Sequence, residues 1–102
     1  APARPVDAVK PRPMSALREK EKLLRELAQR QKALEKQIAK LEERAGELTA
    51  LLGDEETYRS GAARELTLEY SDIEKQLGES LAEWERVCSE IERENSNDQP
   101  PD

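Results

Sequence analysis

The sequence predicts an all-α fold, a two-helix antiparallel coiled-coil hairpin with flexible N- and C-terminal segments, and three observations carry that prediction. Apolar residues return every three and four positions from Leu17 to Leu52, the spacing of a single helix face. After a break the same periodicity resumes and runs to Ile91. Bulky apolar material is scarce throughout: 39% of the 102 residues are charged, 3% are aromatic and none is Phe, too little for a globular core. Two amphipathic helices joined by a short loop most simply fold back on each other.

Each element can be justified in order. Residues 1–14 hold Pro2, Pro5, Pro11 and Pro13 with Arg4, Lys10 and Arg12, and proline removes backbone donors and restricts its neighbours, so this is an extended basic linker. Ser15 can cap the first helix, although Arg18 stands where the reciprocal Glu of a capping box belongs. That helix is expected over about 15–52, with Leu17, Leu24, Gln31, Ile38, Ala45 and Leu52 at heptad position a and Lys20, Leu27, Leu34, Leu41 and Leu48 at d. Gly46 inside it costs about 1 kcal/mol relative to Ala. Gly53 and Asp54 stop it, and Gly61 closes a hinge over 53–61. The second helix is expected over about 62–94, with Ala63, Tyr70, Leu77, Trp84 and Ile91 at a and Leu66, Ile73, Ser80 and Val87 at d. Residues 95–102 are polar, contain Pro100 and Pro101, and read as a disordered tail. The chain begins with Ala and carries its one methionine inside the Pro-rich stretch, so it reads as a piece of something longer.

An antiparallel pair in which a faces d sets Leu24 against Val87, Leu27 against Trp84, Leu34 against Leu77, Ile38 against Ile73, Leu41 against Tyr70 and Ala45 against Leu66. The polar seam residues Gln31 and Ser80 then meet. Arg30 flanks Glu83 and Arg44 flanks Glu69, pairs worth a few tenths of a kcal/mol each when exposed. A slip of one heptad puts Leu52 opposite Leu66 but leaves Ser80 against Ile38, and the first alignment is the expected one.

Charge and residue types limit the function classes. The net charge is -6, yet Asp7 is the only acid before Glu19 and the second half carries most of the acids, an asymmetry that permits nucleic-acid contact by the basic half. Arg18, Lys22, Arg25, Lys32, Lys36 and Lys40 follow one another at spacings that keep them on one side of the first helix, broken by Gln29. These six are the candidate nucleic-acid-binding residues, since a row of cations can track a phosphate backbone. A solvated face of good helix formers, partly neutralised by Glu19, Glu21, Glu26 and Glu35, is the plainer account. Trp84 and Tyr70 could stack on bases, but both fall on the seam, where core packing explains them. Tyr58 in the hinge can contact a partner or lie as a lid over Leu52 and Leu66. Cys88 beside the seam is a small filler and allows no internal disulfide. A metal site from Glu83, Glu85, Glu90 and Glu92 would lack any His or second Cys, so none is expected. No His and no Gly-rich phosphate loop occurs, and a two-helix hairpin offers no cleft for a reaction, so the chain is not expected to be an enzyme. No apolar run reaches the length of a membrane span, and a single cysteine suits a reducing cytoplasm.

The run Leu51-Leu52-Gly53-Asp54-Glu55-Glu56-Thr57-Tyr58, then Arg64-Glu65-Leu66-Thr67, then Glu83-Trp84-Glu85 late in the second helix resembles the C-terminal domain of ABC-F ATPases of the Uup and YheS type, closest to the YheS branch. The resemblance covers about 15–91, and the Pro-rich segment resembles the linker after the second nucleotide-binding domain. It implies a cytoplasmic parent ATPase acting on the ribosome in translation, with ATP and magnesium bound by cassettes outside this chain and no cofactor within it. It implies that the hairpin is a monomeric accessory arm reaching ribosomal RNA or DNA, with Tyr58 and Trp84 as structural signature residues. The competing expectation is a protein-interaction or dimerisation coiled coil without nucleic-acid binding.

Overall fold

A computed structural model describes residues 14–96; residues 1–13 of the expected linker and 97–102 of the expected tail lie outside the described residues. Helix α1 runs Met14–Leu52, α2 is a short helix at Glu55–Arg59, and α3 runs Ala63–Ser96. The two long helices pack along each other as the hairpin predicts. With 39 residues in α1, the rod is about 58 Å long at 1.5 Å per residue. Three boundaries differ from the expectation: α1 already includes Met14, so Ser15 lies in its first turn instead of capping it; the hinge contains a helix; and α3 extends through Asn95 to Ser96.

Burial follows the heptads and then divides them. Leu34, Leu48, Ile73, Ser80 and Val87 are the buried residues of α1 and α3, and all five occupy d. Described a positions are half-buried, apart from Leu17, which is exposed. Leu34 and Leu48 are 1% and 0% exposed, and each leucine so covered contributes about 1.5–3 kcal/mol.

Four side-chain bonds fix the register. Arg30 pairs with Glu83 and Arg44 with Glu69, the two flanking pairs expected. Fourteen residues along α1 are matched by fourteen back along α3, so a single offset persists over two heptads. On the opposite flank the Gln31 amide donates to Cys88 Sγ at 3.1 Å and the Trp84 indole N–H donates to Glu35 Oε2 at 3.0 Å. Here too, four residues forward on α1 go with four back on α3. The two g-flank pairs are those that the expected a-to-d alignment places side by side, whereas Gln31 spends its amide on Cys88 instead of the expected Ser80.

The hinge is tied by side-chain oxygens. Gly53 N–H donates to the carbonyls of Thr49 and Ala50, ending α1. Asp54 then caps α2, its Oδ1 accepting from Glu56 N–H at 3.0 Å. Thr57 is buried and its hydroxyl donates to the Leu51 carbonyl at 2.6 Å. The Tyr58 hydroxyl donates to the Leu52 carbonyl at 2.8 Å. These are carbonyls that a helix end leaves without an intrahelical donor. Gly61 adopts φ +83°, a left-handed conformation that glycine takes without steric cost, and Ala62 N–H closes back on the Thr57 carbonyl.

Candidate nucleic-acid interface

Apart from Lys20, which stands at d, the cations of α1 divide into two sets according to where the heptad places them. Arg30 and Arg44 stand at g, facing α3, and both are consumed by its acids. Arg44 forms a forked contact, Nε to Glu69 Oε2 at 2.6 Å and Nη2 to Oε1 at 2.9 Å, and holds Glu47 with its third nitrogen at 2.9 Å. Hydrogen bonding from Arg44 lowers the Glu69 carboxyl below its ordinary value of 4.5, and the same bond raises the Arg44 guanidinium. Fixed charge here serves register.

Arg18, Lys22, Arg25, Lys32, Lys36 and Lys40 stand at b, c and f, the outer positions of α1, and all six are exposed. None forms an ion pair with a described residue. Glu35, which the sequence offered as a neutralising neighbour, keeps its charge and accepts a hydrogen bond from the Trp84 indole N–H. The row spans 22 residues, or about 33 Å of helix. Across the rod, α3 carries ten acids against four bases between Ala63 and Ser96. α1 carries nine bases against seven acids, and Glu19, Glu26, Glu43 and Glu47 share its outer positions with the six cations, so the outer face of α1 is the more positive side of the hairpin and α3 the more negative.

Trp84 is half-buried at the seam and Tyr58 is 60% exposed at the hinge, so the two signature residues are far apart along the rod and form no joint site. Tyr58 is held by its hydroxyl, with its ring largely in water. Sequence reasoning missed the Gln31–Cys88 and Glu35–Trp84 bonds. The signal was available, because e residues border the seam and the polar tips of Trp and Gln need partners when partly buried. Among the described residues no helix is long and apolar enough to cross a membrane, and no group of three or more His, Cys, Asp and Glu side chains is placed to hold a metal ion.

Fold and surface together define a class: a helical hairpin with a row of six exposed cations on one outer face. In comparisons with protein families, characterised proteins and solved structures, nothing matches the chain.

Proposed function

We propose that this hairpin is an accessory nucleic-acid-binding arm, presenting the outer face of α1 to ribosomal RNA or DNA, and that it belongs to a cytoplasmic ATPase of ABC-F type working on the ribosome. The observation that carries the reading is the division of the cations: Arg30 and Arg44, turned toward α3, are paired with its acids, and the six turned outward form no ion pair with a described residue. A row about 33 Å long is close to one turn of duplex. Contacts of this kind go to phosphates and read no sequence. ATP and magnesium belong to the cassettes that the resemblance implies, outside this chain.

Fluorescence anisotropy with labelled duplex RNA and DNA, titrated between about 50 and 200 mM salt, tests the reading. If all six cations meet phosphates, log K falls against log salt with a slope of about -5, and reversing Arg25, Lys32 and Lys36 to Glu cuts that slope to about half or less. Absence of binding at the lowest salt, or an unchanged slope in the triple variant with its helicity intact, refutes it.

A further inference from the structure

The e-side flank of the hairpin carries a second surface. A shallow groove of about 220 Å³ is lined by Glu35, Ile38, Ala39, Glu42, Leu81 and Trp84. Leu81 occupies an e position, where coiled coils ordinarily place a charged residue, and it is 42% exposed in the middle of the acid-rich α3. Both ionisable residues of the lining are acids, and they sit seven residues apart on α1, about 10 Å along its axis. Glu35 is oriented by the Trp84 indole N–H, which leaves a carboxylate with acceptor sites still open.

We infer that this groove docks a basic amphipathic helix of a partner protein, with Lys or Arg at positions i and i+7 meeting Glu35 and Glu42 and a leucine-sized residue at i+3 or i+4 covering Leu81 and the Trp84 ring edge. The spacing on the partner follows from the spacing of the two carboxylates, and apolar anchors between flanking charges are the usual way a helix is held in a groove. A second copy of this chain does not supply that pattern. Within residues 14–96, the cations seven apart are Arg18 and Arg25, enclosing Glu21 and Lys22; Arg25 and Lys32, enclosing Ala28 and Gln29; and Arg86 and Arg93, enclosing Ser89 and Glu90. None of these carries a leucine at i+3 or i+4.

Trp84 is the single tryptophan of the chain, so its emission reports the groove directly. The full chain is titrated with a helical peptide free of Trp and Tyr that carries Lys at i and i+7 and Leu at i+3 and i+4. The expected result is a saturable blue shift that Leu81→Ser weakens about tenfold or more and that Glu42→Gln weakens and makes less salt-sensitive, circular dichroism showing both variants folded. An equal shift with the peptide's lysines exchanged for glutamates, or equal affinity in Leu81→Ser, overturns the inference. A blue shift of the protein alone that grows with its own concentration overturns it too, because the occupant is then a second copy.

Discussion

Replacing Gly46 and Gly78 by alanine should stabilise the hairpin substantially. Both stand at b, on the exposed outer faces of α1 and α3, and a Cβ added at either meets nothing within 4 Å. Glycine inside a helix is about 0.8–1 kcal/mol less favourable than alanine, because the unfolded chain loses more backbone freedom on folding. The two sites lie on different helices with no shared partner, so their effects should add to about 2 kcal/mol. For a domain of this size each kcal/mol moves the melting temperature by roughly 4–8 °C, which predicts a rise of about 8–16 °C for the double variant. Thermal melts followed by circular dichroism on the wild type, both single variants and the double variant measure this. A single variant that melts at or below the wild type would refute the reasoning, since it would mean that something occupies the space beside that glycine.

Two further expectations follow from the packing and the ion pairs. Ser80 is buried on the seam, so Ser80→Leu should cost about 1–3 kcal/mol by overpacking, read from urea midpoints. For the pH dependence, the Glu69 carboxyl lies below its ordinary value of 4.5 because Arg44 hydrogen-bonds it; a carboxylate depressed in the folded state adds stability that is whole above pH 4.5 and is lost as pH falls through the lower folded value. The stability gap between wild type and Glu69→Gln should therefore be flat above that pH and shrink below it, and a gap independent of pH between 2 and 6 would exclude the pair as its source.

Much of this fold was legible because helices and seam are local properties of the chain. Periodicity placed the seam residues of α1 and α3, and opposite charges at g found the Arg30–Glu83 and Arg44–Glu69 pairs. What escaped was the partner of Gln31. Matching polar with polar favoured Ser80, whereas the Gln31 amide donates to Cys88 on the flank of the seam. The helix within the hinge was hidden for a similar reason: Asp54, Thr57 and Tyr58 act through oxygens that complete other residues' hydrogen bonds, which no hydrophobic pattern records. The outward position of the six cations was readable from their b, c and f positions. That Glu35 would be oriented by the Trp84 indole N–H depends on side-chain geometry.

The hydroxyls of Thr57 and Tyr58 have a mechanical consequence. By fastening the last turn of α1 to the hinge, they stiffen the far tip, so the two helices cannot easily slide past one another or splay from that end. Displacement therefore enters the rod at the opposite end, where α1 begins at Met14 and α3 ends at Ser96: a tilt of about 10° there swings the hinge by roughly 10 Å over a 58 Å lever.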